Sequence, residues 1–154
     1  MSAAKADRAW LAANLPHGGT MNLLDAVLDW DATSLRARVR GHGDPAHPLR
    51  RAGVLPITAG IEYGAQAAAA HGALLDSKPS GPGMLVAVRS VDFHADRLDD
   101  VAADLDVAVV HLGGGDAGVL YGFSVSAAGR VLAEGRLTVA FGKSGVTPSG
   151  TGIE

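Results

Sequence analysis

At 154 residues, with 47% hydrophobic and 19% charged side chains, the chain is of a size for one domain with a substantial core. A net charge of −3 argues against a nucleic-acid binder, and the lack of cysteine removes disulfides, thiolate nucleophiles and zinc-finger frameworks. Residues 1–19 lack the continuous apolar core of a signal peptide, and no apolar run reaches the length of a membrane span, so the expected location is the cytoplasm, away from the membrane.

In chain order, a short amphipathic helix is expected within residues 5–15, with Trp10 and Leu11 on its apolar side and Pro16 and Gly18-Gly19 stopping it. Strands follow at about 21–30 and 33–41; in the second, Leu35, Ala37 and Val39 alternate with Arg36, Arg38 and Arg40, the pattern of a half-buried hairpin. Residues 42–55 read as a loop rich in Gly, Pro and His. A long helix then runs from about Pro56 to Leu75, with proline in its first turn, and SKPSGPG at 77–83 breaks it. Strands are expected at about 84–95, 101–112, 118–126 and 130–141, with turns at 113–116 and 127–129; the Gly113–Gly115 triplet reads as a turn because no Gly-Lys-Ser/Thr follows it. The domain is expected over 1–142 and a flexible tail over 143–154.

One alanine-rich helix, preceded by a hairpin and followed by an antiparallel meander, packs most simply as an α+β domain in which a curved sheet wraps the helix, the hot-dog arrangement. Small residues let sheet and helix approach closely. An open sheet edge in such a domain invites pairing across a two-fold, so a homodimer or higher multiple is expected.

Within the helix, Glu62 sits among Ile61, Tyr63 and Ala67–Ala70, and an ionisable carboxyl in such a setting has to be used or satisfied. His42 follows Gly41 at the end of the second strand, and His47 precedes Pro48 in the loop; the bland reading of each is a solvated loop histidine. His71, His94 and His111 have no metal-pair spacing, so no metal site is indicated. Ser124 and Ser126 lie in a strand without a nucleophile elbow. Arg36, Arg38, Arg40, Arg50 and Arg51 form a basic stretch, against Asp92, Asp96, Asp99, Asp100, Asp104 and Asp106 further on. It reads first as a solvated strand face and second as a docking surface for an acidic protein.

The segment LPHGGTMNLLDAV at 15–27 resembles the opening of the β-hydroxyacyl-ACP dehydratases of fatty-acid synthesis. Pro56, Glu62 six residues on and Gln66 four beyond match the central-helix motif of that family. The longer stretch DPAHPLRRAGVLPITAGIEYGAQAAAAHGAL is similar to the dehydratase-like hot-dog proteins of aryl-polyene gene clusters. The resemblance covers about residues 10–141 and implies elimination of water from a 3-hydroxyacyl thioester to a trans-2-enoyl product, in fatty-acid or aryl-polyene type lipid synthesis. No cofactor is implied beyond the phosphopantetheine of an acyl-carrier protein or CoA that carries the acyl chain. Such chemistry needs a base for the α-proton, an acid for the departing hydroxyl and donors for the thioester carbonyl.

By that resemblance Glu62 is the acid. Gln66, one turn on, orients its carboxyl. Backbone N–H groups around Ile57, beside Pro56 at the helix start, hold the substrate carbonyl. The base is His42 or His47, with His17 a distant third. Here the chain departs from the family, whose histidine lies in a Gly-His-Phe-Pro loop fourteen residues before the glutamate, whereas His42 and His47 lie twenty and fifteen before Glu62. In the resembling enzymes histidine and glutamate come from different subunits. The basic stretch would face the acidic carrier protein. Three alternatives share the scaffold: a hot-dog acyl thioesterase, a non-catalytic partner in a heterodimeric dehydratase, and a plain acyl binder.

Overall fold

The computed structural model describes residues 6–7, 9–11, 23–76, 83–115 and 118–141. The tail expectation and His17 lie outside these residues. Among the described residues seven antiparallel strands form one sheet: β1 (Ala6–Asp7), β2 (Ala26–Trp30), β3 (Ser34–Val39), β4 (Gly83–Phe93), β5 (Leu105–Gly115), β6 (Gly118–Ala127) and β7 (Arg130–Phe141), in the spatial order β1-β2-β3-β5-β6-β7-β4. The helix α1 (Ala59–Asp76) lies against strands β3 to β7. This is the hot-dog arrangement expected from the sequence.

Alternation along the strands puts one face of the sheet on the helix. Leu35, Val39, Val107, Val109, Phe123, Val125, Leu137 and Val139 are all buried, and their neighbours in sequence face outward. On the helix side Tyr63, Ala67, Ala68, Ala70 and His71 are fully buried. Gly64 is required by this packing: a Cβ there would sit 2.9 Å from the Phe123 ring, so the glycine is what admits the phenyl group against the helix.

Several boundaries differ from the expectations, each for a long-range reason. Residues 6–7 pair with Val27 and Ala26 on the free edge of β2 rather than beginning a helix, and helical structure is described at 9–11. The glycine triplet is strand, with Gly113, Gly114 and Gly115 opposite Leu120, Val119 and Gly118, so β5 runs on past the expected turn. The long helix begins at Ala59 because Pro56 is bridged to Arg97 and the Ile57 N–H donates to the Asp96 carbonyl at 3.0 Å. A neighbouring backbone has captured the residues that were expected to open it.

The C-terminal half of α1 carries a closed polar cluster. The His71 Nε2–H donates to the Asp31 carbonyl and Nδ1 accepts the Tyr121 hydroxyl, both at 2.8 Å, a tautomer assigned because a carbonyl oxygen requires a donor. Burial keeps the imidazole below its ordinary pKa and pushes the Tyr121 phenol up to about 12. Asp31 in turn caps the β2–β3 turn, its carboxylate accepting the N–H groups of Thr33 and Ser34 at 2.9 and 2.8 Å. A fully buried histidine on this helix is thereby a structural one.

Candidate active site

Glu62 lies in the first turn of α1, half-buried on the wall of a cleft of about 290 Å³ that Leu49, Arg51, Pro56, Thr58 and Ile61 help to line. The Gln66 Nε2–H donates to Glu62 Oε2 at 3.1 Å, and Gln66 Oε1 accepts the Leu23 N–H at 2.9 Å. Gln66 is fully buried, so its amide is fixed at both ends and holds the carboxyl plane in turn. The one-turn spacing predicted this contact. The Leu23 anchor, 43 residues away, had no local signal.

Pro56 lines the same cleft, but Ile57 is buried in the core and its N–H is spent on Asp96, which corrects the expectation that this group is free for a substrate carbonyl. The N–H groups of Ala59, Gly60 and Ile61 turn back to the carbonyls of Pro56, Ile57 and Thr58. Of the donors at this helix start, the exposed Thr58 N–H has no partner among the described residues. Thr58 immediately precedes the helix, a position that threonine favours, and that preference is the sequence signal for this residue.

The two histidines occupy different settings. His42 lies in a short 3-10 turn, Gly41–Gly43, directly after β3, and is buried with Nε2 2.9 Å from the Val101 carbonyl oxygen. A carbonyl demands the proton on Nε2, so Nδ1 carries the lone pair; it is buried and has no partner among the described residues. His47 has both nitrogens engaged: Nδ1 accepts the Leu49 N–H at 3.1 Å, and Nε2 donates to the Tyr63 hydroxyl at 3.0 Å. Burial, and after it the charge of Arg50, lowers the His47 pKa, while burial raises that of Tyr63. Neither His42 nor His47 is among the residues that line the Glu62 cleft.

The loop carrying both histidines is braced from within. The Arg50 guanidinium donates to the carbonyls of Asp44, Gly43 and Gly53 at 3.0, 2.9 and 2.7 Å. Asp99, whose carboxylate is buried, accepts the Leu55 N–H at 2.9 Å and Arg97 Nη2 at 2.6 Å, and the bond from Arg97 holds its carboxyl well below the ordinary range. Arg36 pairs with Asp29 and Asp106 at 3.0 and 2.8 Å, and Arg40 with Asp104 at 3.1 Å. Three of the five arginines in the basic stretch are therefore held by internal partners, and Arg51 is the one that reaches the cleft. Among the described residues there is no cluster of three or more His, Asp or Glu side chains able to hold a metal, and no helix long and apolar enough to cross a membrane.

A curved antiparallel sheet around one long helix, with a glutamate and a glutamine one turn apart at the helix start, makes this a hot-dog domain. Residues 10–145 match the model of the ApeP-like family, described as ApeP dehydratase, and the chain belongs to that family. Among solved structures it is similar to one titled the dehydratase heterocomplex ApeI:P from Xenorhabdus doucetiae, with 24% identity over 86% of this chain and 91% of that one and a TM-score of 0.76. A variant of thioesterase PA1618 from Pseudomonas aeruginosa is similar in fold, with 16% identity over 90% of this chain and 96% of that one and a TM-score of 0.63. AziG of S. sahachiroi follows, with 18% identity over 77% and 90% of the two chains and a TM-score of 0.55. No curated protein sequence matches the chain.

Proposed function

We propose that this chain takes part in eliminating water from a 3-hydroxyacyl thioester carried on the phosphopantetheine of an acyl-carrier protein or CoA, within fatty-acid or aryl-polyene type synthesis. The observation that carries the reading is the Leu23–Gln66–Glu62 relay, which presents a fixed carboxyl to an open cleft. The base takes the α-proton, the electron pair left on Cα forms the Cα–Cβ double bond, and the Cβ–O bond breaks. Glu62 gives its proton to the leaving hydroxyl, so that water and a trans-2-enoyl thioester depart. The Thr58 N–H, rather than that of Ile57, is the donor available to polarise the thioester carbonyl.

His42 is favoured over His47 as the base, because one of its nitrogens is uncommitted whereas both of those on His47 are engaged. The site is then completed by a second hot-dog subunit. Strand β4 is an outermost strand whose Leu85, Val88 and Phe93, opposite the buried Val139, Leu137 and Ala133, stay more than a third exposed. Such an edge suits strand pairing with another copy or with a related chain, and the similar structure ApeI:P is itself a heterocomplex.

A second reading is favoured by the burial of His42 Nδ1 inside its own chain: the partner supplies the imidazole and this chain the carboxyl. Mass spectrometry of a 3-hydroxyacyl carrier protein incubated with the assembled protein tests both readings. On the first, Glu62→Gln and His42→Asn each lower dehydration by about 10²–10⁴-fold. On the second, only Glu62→Gln does. Free acid in place of enoyl product would mean a thioesterase, and full rate in both variants would refute the site.

A further inference from the structure

The outward face of the sheet divides into rows that run across the strands. One row reads Arg89, Arg136, Gly122, Val110 and Ser34 along β4, β7, β6, β5 and β3; the next reads Asp92, Glu134, Ser124, Ala108 and Arg36. Like charges thus stand directly opposite each other twice, Arg89 against Arg136 and Asp92 against Glu134. Directly opposed like charges work against a sheet. The bulge between Arg89 and Asp92, where Ser90 takes a φ of 54°, lets both residues point to this same face. Arg89, Arg136 and Asp92 form no ion pair among the described residues, and Glu134 has only exposed His94, at 3.0 Å.

Between these charges and β5 lies a depression of about 560 Å³ floored by the small residues Ala108, Gly122 and Ser124, with Val110 standing 46% exposed beside it. The basic row and the acidic row are two residues apart along β7, about 7 Å. A two-fold axis running across the strands between the two rows would lay each row of one copy over the other row of its mate. Arg89 and Arg136 would then face Asp92 and Glu134, and Val110 would face Ala108. The β4–β7 part of the surface is complementary to itself in charge.

We propose that this outer face packs back to back against a second copy of the same chain about that axis, joining two edge-paired units into an assembly of twice the mass. The occupant is a second copy because β4 and β7 hold two arginines in one row and two carboxylates in the next, whereas an acidic or a basic partner would leave one of these pairs repelled. Arg89 and Asp92 lie on β4, so the contact uses outward side chains of that strand, while its backbone edge and the Glu62 cleft stay outside it.

Charge reversal tests it, with sedimentation velocity on the full chain together with whatever edge partner it requires. Wild type is expected at twice the mass of the edge-paired unit, falling toward half as salt rises. Arg89→Glu with Arg136→Glu makes both rows acidic, and Asp92→Arg with Glu134→Arg makes both basic. Each double variant alone is expected at half the wild-type mass, and an equimolar mixture is expected to recover the full mass, because each row then meets its opposite. Val110→Glu, a single exposed change, should also halve the mass should either double variant fold poorly. Wild type found only as the edge-paired unit would overturn the proposal. So would variants that keep the full mass, or a mixture that fails to regain it. Loss of binding to an acidic carrier protein in the Arg89/Arg136 variant at unchanged mass would also overturn it, and assign the face to that other occupant.

Discussion

The two ends of α1 each carry a polar cluster in an otherwise apolar helix, and they differ in one respect. At the C-terminal end His71 has a partner on each ring nitrogen and is sealed beneath the β2–β3 turn. At the N-terminal end Gln66 is equally well tied, yet the carboxyl it holds opens onto a cleft. A polar group sealed beneath a turn holds the fold together; one on the wall of a cleft is within reach of a ligand.

Replacing His71 by Leu should give the largest stability loss, since it leaves the Tyr121 hydroxyl and the Asp31 carbonyl without partners. About 2–4 kcal/mol is expected from chemical denaturation, with turnover per folded molecule unchanged. A change in turnover would break the contrast between the two ends. Gln66→Leu should do the converse at the open end, lowering dehydration by roughly 10–100-fold through the freed carboxyl, and destabilising by about 1–3 kcal/mol through the stranded Leu23 N–H. If turnover were unaffected, the relay would be structural only.

Acid should act first on two buried histidines, His71 at the closed end of α1 and His47 beside Tyr63. Burial depresses His71 and His47, so the unfolded chain takes up their protons more readily than the folded one. Stability is then fully present above the ordinary histidine pKa of about 6.5 and declines as the pH falls below it. A second decline, below about 4, comes from Asp99 and Asp31, both held low by the hydrogen bonds they accept. Thermal melts in a pH series read both steps, and in His71→Leu the first should shrink. The smallest effect is expected at Arg36, whose pairs with Asp29 and Asp106 are exposed: Arg36→Ala should cost no more than about 1 kcal/mol, and less in high salt.

What could be read from the chain follows the range of the interactions involved. The helix motif and the strand alternation are local, so the hot-dog wrap and the Glu62–Gln66 contact were both legible. The parts that were not legible depend on distant backbone. Asp96 takes the Ile57 N–H, which moves the helix start to Ala59 and removes an expected donor from the site. Val101 orients His42 from 59 residues away, and Asp99 fixes Leu55 from 44 away. Tyr63 was visible as an apolar helix residue, but its hydroxyl bond to His47 depends on where a glycine- and proline-rich loop folds back. The alternating arginines likewise gave no hint that β3 would lie beside β5 and meet Asp106 there.

The central claim is that the carboxyl of Glu62 delivers the proton on which the hydroxyl leaves. The most direct measurement is single-turnover conversion of a 3-hydroxyacyl carrier protein to its trans-2-enoyl form by Glu62→Gln and by wild type, in the same assembly and at equal folded concentration. The account predicts a rate lower by about 10²–10⁴-fold in the variant, with unchanged thermal stability. Equal rates in the two proteins would contradict it.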